Sequence, residues 1–161
     1  MNFKYILICL ITVSFFAKSN TILAVVDDEI ISSLDLSLYD IKNPTKEKKL
    51  ALINLLIDDK IENKQIERLG IQPTNDSIIK ELTAIAVKNN TTIEELQKSN
   101  KFNSIVKQVK NNLKKIILRQ IITQNLIKIN KYPNVDKKNI YKFWLQDIKQ
   151  TTFIDIYEDK L

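Results

Sequence analysis

Residues 102–129 constrain the fold more than any other stretch. Phe102, Ile105, Val106, Val109, Leu113, Ile116, Ile117, Leu118, Ile121, Ile122, Leu126 and Ile129 recur at spacings of three and four, which predicts one long α-helix. At a rise of about 1.5 Å per residue it runs roughly 42 Å, long enough for several shorter helices to lean on it. Its first half keeps a polar face of Lys107, Lys110, Asn111 and Lys114. After Leu113 the consecutive Ile116, Ile117 and Leu118 exceed any single stripe, which predicts enclosure on more than one side. Each large side chain withdrawn from water contributes about 1.5–3 kcal/mol, so this helix needs neighbours from the segments before and after it.

A chain of 161 residues, 44% of them hydrophobic, supports one domain with a core of its own, expected over 20–161. It holds one glycine, three prolines and no histidine. That scarcity speaks against phosphate-cradling glycine loops, histidine triads and most zinc sites, because each needs the residue type that is scarce. Neither a cofactor nor a metal is expected.

Residues 1–19 read as a cleavable secretory leader: Lys4 supplies the positive end, 6–17 the apolar run, and Ala17-Lys18-Ser19 the small residues of a cleavage site. The run falls short of the roughly 20 residues that span a bilayer. Cys9 lies inside it and would leave with it, and the bulky Ile8 before it does not suit lipoprotein processing. Processing takes Lys4 and Lys18 from 25 basic residues and leaves 19 acids, for a charge of about +4. The lysines are spread along every segment, as a solvated surface requires, whereas a nucleic-acid footprint needs a denser basic face.

In order, 21–26 is apolar and β-branched and predicts a strand. Asp27-Asp28-Glu29 predicts a tight hairpin or bend rather than a cation site, before Ile30 and Ile31 resume. Ser32 or Ser33 can cap a short helix carrying Leu34, Leu36 and Leu38, with Asp35 in its first turn. Asn43-Pro44 predicts the cap and first position of a longer helix reaching about Leu69, and Gly70 sits where a left-handed stop belongs. Thr74 caps a third helix with Ile78, Ile79, Leu82, Ile85 and Ala86, up to Asn89-Asn90. Thr92-Ile93-Glu94-Glu95 is a capping box for a short helix. Tyr132-Pro133 is read as the stop of the long helix. Asn134 or Asp136 caps a last one, with Ile140, Phe143, Trp144 and Ile148 on one face; Trp144 and Phe143 are expected to pack it onto a sheet. The closing 152–157 is β-prone. Asp58, Asp59 and Glu62 mimic a catalytic pair but are read as a wet helix face paired with Lys60 or Lys64.

Leu56-Ile57-Asp58-Asp59-Lys60, leading to Arg68-Leu69-Gly70-Ile71 and then to Asn89-Asn90, Thr92, Glu95-Leu96 and a long helix, is similar to the N-terminal domain of the SurA family of periplasmic chaperones. So is the opening Ala24-Val25-Val26-Asp27-Asp28-Glu29-Ile30-Ile31. The likeness covers 22 to about 125, and the final helix with Trp144 and its strand resembles that family's C-terminal tail, which folds back on the N-terminal domain. The chain departs from the family in lacking the parvulin isomerase domains between these parts.

The expected fold is therefore mainly α: an orthogonal helical domain around one long helix, with the N- and C-terminal strands joined in a small sheet, because a two-strand ribbon alone is marginal. An incompletely closed groove between the helices would suit extended polypeptide, with Ile85, Leu96, Phe102, Ile105, Val109 and Leu113 as the candidate lining. The resemblance implies a periplasmic, ATP-independent holdase for unfolded or extended polypeptides, such as outer-membrane protein precursors. With the isomerase domains missing it implies no catalysis of its own, while the dispersed lysines and the short apolar run predict no nucleic-acid partner and no stable membrane insertion after processing. Two other readings are an accessory to a peptidyl-prolyl isomerase and a basic nucleic-acid-binding protein, whose affinity would fall steeply with salt.

Overall fold

The computed structural model describes residues 20–39 and 43–161. The expected leader over 1–19 lies outside the described residues. The chain opens with β1 (Ile22–Val26) and β2 (Glu29–Ser32), an antiparallel hairpin closed by Val26 opposite Glu29. Asp27 makes the turn at φ +52°, a left-handed conformation that aspartate tolerates better than most residues. The short helix α1 (Ser33–Ser37) begins at once, with the Ser32 N–H and hydroxyl both donating to Asp35 Oδ2 at 2.7 and 2.8 Å. Next come α2 (Lys46–Arg68), α3 (Asn75–Lys88), α4 (Ile93–Lys98), α5 (Phe102–Lys128), a 3-10 turn, α6 (Ile140–Thr151) and β3 (Ile154–Ile156).

β3 returns to the hairpin and pairs antiparallel with β1, Val25 opposite Asp155, so the sheet order is β2-β1-β3. The two ends of the described chain are thereby joined, as expected. Ile53, Ile57 and Ile61 of α2 cover this sheet and share a core with Leu23, Ala24, Val26 and Ile31.

The start of α2 corrects the expectation at Asn43-Pro44. Thr45 is the cap, accepting from the Lys48 N–H at 3.4 Å, while Asn43 lies at φ +46° before the helix. A hydroxyl on extended backbone directly ahead of Lys46 satisfies a first-turn amide that Asn43 is too far back to reach.

Gly70, at φ +62°, ends α2 as expected: the Ile71 N–H donates to the Ile66 carbonyl at 3.1 Å and the Gly70 N–H to Glu67 at 3.0 Å. The same paired bonds close α3 at Asn90 and α5 at Asn130, where φ is +53° and +50°. Asparagine thus supplies two stops that the scarce glycine does not. The stop at Asn130 also corrects the reading of Tyr132-Pro133, since hydrogen bonding ends α5 before the proline is reached.

α5 does not become enclosed on several sides after Leu113; its buried stripe changes sides. Phe102, Ile105, Val106, Val109 and Leu113 pack against α3 and α4. Ile117, Leu118, Ile121, Ile122 and Leu126 pack toward Ile66 and Ile71 at the end of α2 and toward Ile140 and Trp144 of α6. Val109 and Leu118 are nine residues apart and, at about 100° per residue, leave the helix on opposite sides. Ile116, which continues the first stripe, is consequently 48% exposed.

Trp144 corrects a further expectation: it is buried against α5 and the end of α2, while Leu145 and Ile148 reach the sheet core. Phe143 is 42% exposed, its ring centroid 6.2 Å from that of Tyr132. Leu145 leaves α6 about 100° round from Trp144, and Ile148 lies one turn beyond the tryptophan, so both stand between the two cores.

Candidate functional site

The six expected lining residues come together in one apolar cluster where α3 and α4 meet the first half of α5. Leu96, Val109 and Leu113 are buried in it beside Ile78, Leu82 and Ala86, and Ile85, Phe102 and Ile105 are half-buried along its margin. Local chemistry places α4: Thr92 Oγ1 accepts from the Glu95 N–H at 3.2 Å and Glu95 Oε2 accepts from the Thr92 N–H at 3.1 Å. The Thr91 hydroxyl, followed by that Thr92 N–H, holds the Glu95 carboxyl below its ordinary range. Beyond such caps the lobe has little polar adhesion. Among the described residues no ion pair reaches 69–114, and side-chain hydrogen bonds there span at most four positions.

The acids of α2 correct the expectation of a wet face. Glu62 is 4% exposed and accepts from the Tyr141 hydroxyl at 2.8 Å and the Arg119 guanidinium at 3.3 Å, with Lys115 Nζ at 3.5 Å. Asp59 pairs with Lys115 and Asp58 with Lys149. Lys60 and Lys64, the expected partners, turn instead to the hairpin, meeting Glu29 at 2.6 Å and Asp27 at 2.8 Å. Burial, then the bond to Glu62, pushes the Tyr141 phenol far above its ordinary value. Burial opposes the charge on Arg119, but the charge and hydrogen bond of Glu62 outweigh it and raise its pKa. Asp59 and Glu62 meet cations of α5 and Asp58 one of α6, so the arrangement fastens α2 to α5 and α6.

One sequence signal could have revealed this network. α5 contains no acidic residue, yet carries Lys115 and Arg119 four positions apart, matching Asp59 and Glu62 on the preceding long helix. Asp27, read in the sequence only as part of a turn, is a second centre. Its N–H donates to the Phe153 carbonyl at 2.8 Å and its Oδ1 accepts from the Phe153 N–H at 3.1 Å, while Lys64 lowers its pKa. The hairpin tip, the C-terminal strand and α2 meet there.

Among the described residues no group of three or more His, Cys, Asp or Glu could hold a metal ion, and no helix is long and apolar enough to cross a membrane. Fold and site define a mainly α protein in which a three-stranded antiparallel sheet joins the two ends of the described chain, and in which one apolar lobe has only local polar bonds among the described residues. No protein-family model matches the chain. It is similar to the chaperone SurA of Buchnera aphidicola subsp. Schizaphis graminum, at 26% identity over 157 residues, covering 81% of this chain and 36% of that protein. The chain therefore spans little more than a third of the length of the relative it matches.

Proposed function

We propose that this protein is a periplasmic chaperone that holds unfolded or extended polypeptides without ATP and without catalysis of its own. The likeness to chaperone SurA across most of the chain carries the reading. The apolar lobe of α3, α4 and the first half of α5 supports it. Ile85, Phe102 and Ile105 form the accessible margin on which a client rests, and Leu96, Val109 and Leu113 are the floor beneath. Shallow apolar contacts of this kind accept many sequences, because they demand few fixed polar partners. Eleven residues separate α5 from α6, too few for a folded isomerase domain at that position. The leader-like 1–19 supports export, and outer-membrane protein precursors are the proposed clients. The test is light scattering from a denatured porin diluted with and without the purified protein. A delay in aggregation at equimolar to moderate excess is expected, and scattering that rises unchanged would remove the chaperone reading.

A further inference from the structure

Of the six cations on α5, which has no acid of its own, Lys115 and Arg119 are neutralised by Asp59 and Glu62 of α2. Lys107, Lys110 and Lys114 are not: no carboxylate lies within ion-pair distance of them among the described residues. They stand at i, i+3 and i+7 on one face, where like charges repel, and Lys114 is half-buried as well. The face is the one that turns into core one turn later, where Leu118 meets α2, and there it borders a depression of about 440 Å³ lined also by Gln72, Asn103, Val106 and Asn111.

We propose that Lys107, Lys110 and Lys114, with Gln72, Asn103 and Asn111, form a subsite for acidic stretches of extended polypeptide; the assignment rests on the chaperone reading. Three features favour this occupant. The charge is uncompensated and single-signed, so a carboxylate-bearing segment completes it. Lys110 and Lys114 are about 6 Å apart along the helix axis, close to the roughly 6.6 Å between alternate residues of an extended chain, so one segment can present a carboxylate to each. The amides of Gln72, Asn103 and Asn111 offer both donors and acceptors, matching a peptide backbone that has both, whereas a phosphate backbone only accepts. The lining also has no aromatic ring on which a base could stack.

The test is fluorescence anisotropy with a labelled unstructured peptide carrying glutamate at alternate positions and its glutamine-matched counterpart. The unaltered protein is expected to bind the acidic peptide about tenfold more tightly at low salt, with the gap closing at about 0.3 M salt. Combined Lys107→Gln, Lys110→Gln and Lys114→Gln should abolish the preference while circular dichroism stays unchanged. Should that variant not fold, Lys107→Gln and Lys110→Gln singly, both at exposed positions, should each reduce the preference. Equal affinity of the two peptides for the unaltered protein, or a preference that survives the substitutions, overturns the proposal. Tighter binding of a single-stranded oligonucleotide of equal charge overturns it as well. The aggregation assay with an uncharged client separates the two readings. Delayed aggregation without acidic preference removes only this subsite, and acidic preference without delayed aggregation keeps the subsite and removes the chaperone reading.

Discussion

The two halves of α5 belong to differently built regions. Its second half sits in a body where apolar burial is reinforced by directional bonds. Glu62 accepts from Tyr141 and Arg119 with Lys115 in ion-pair range, and Asp27 joins the hairpin to Phe153 and Lys64. Its first half sits in a lobe with α3 and α4, where apolar contact and local caps do all the holding. Directional bonds fix one arrangement, because a buried acceptor left without its donor is costly. Apolar contact between short helices tolerates small shifts at little cost. The lobe is therefore the part expected to open first and, under the proposed chaperone function, to repack around a client, while the body keeps its geometry.

The largest effect should come from cutting the same helix on its two sides. Leu118→Ala removes a fully buried side chain from the body and is expected to cost about 2–5 kcal/mol in urea denaturation. Leu113→Ala should shift the global midpoint less and instead speed amide exchange in α3 and α4. If both lower the midpoint equally, lobe and body unfold as one unit and the contrast fails.

Next in size is the polar centre of the body. Tyr141→Phe takes the hydroxyl from Glu62 and should destabilise by about 1–3 kcal/mol, whereas Glu94→Gln on exposed α4 should leave the midpoint unchanged. A smaller loss, about 1–2 kcal/mol, is expected for Gly70→Val at the junction of the two regions. A Cβ there meets no atom within 4 Å, so the cost is conformational only, and Gly70→Asn should recover much of it in melting temperature.

The smallest effect is on pH dependence. The Asp27 and Asp147 carboxyls lie below their ordinary value of 3.8, held there by Lys64 and by the Tyr132 hydroxyl respectively. Their contribution is complete above that value and is lost as pH falls through the lower folded ones. Tyr141 acts in the opposite sense: its contribution is complete below 10.0 and fades as pH rises from there toward the raised folded value. Thermal melts should therefore fall at both extremes, and Tyr141→Phe should flatten the alkaline limb alone.

Most local devices were legible in the sequence because each is written within about five residues, but the start of α2 and the stop of α5 were misplaced where several capping residues stand side by side. The hairpin at Asp27-Asp28, the Thr92 capping box, the Gly70 stop and the period of α5 all form where their spacing places them. The pairing of the terminal strands was legible for a different reason, since neither strand had another partner. That the six candidate residues share one cluster was legible, because they follow one helical stripe and the helices capped beside it. The partners of Glu62 and the destination of Trp144 were not, since both depend on which helices cross, and helical period says nothing about that.

The amino-acid order by itself determined where helices begin and stop and which residues of each share a side, because backbone hydrogen bonding and side-chain period act over a few residues. Only the packed structure decided which side is buried at each point along α5. Nine residues of helix reverse the direction of a side chain, and whether that reversal meets core or solvent depends on neighbours more than twenty positions away. The same crossing that turns Leu118 inward leaves Lys107, Lys110 and Lys114 without acids to meet.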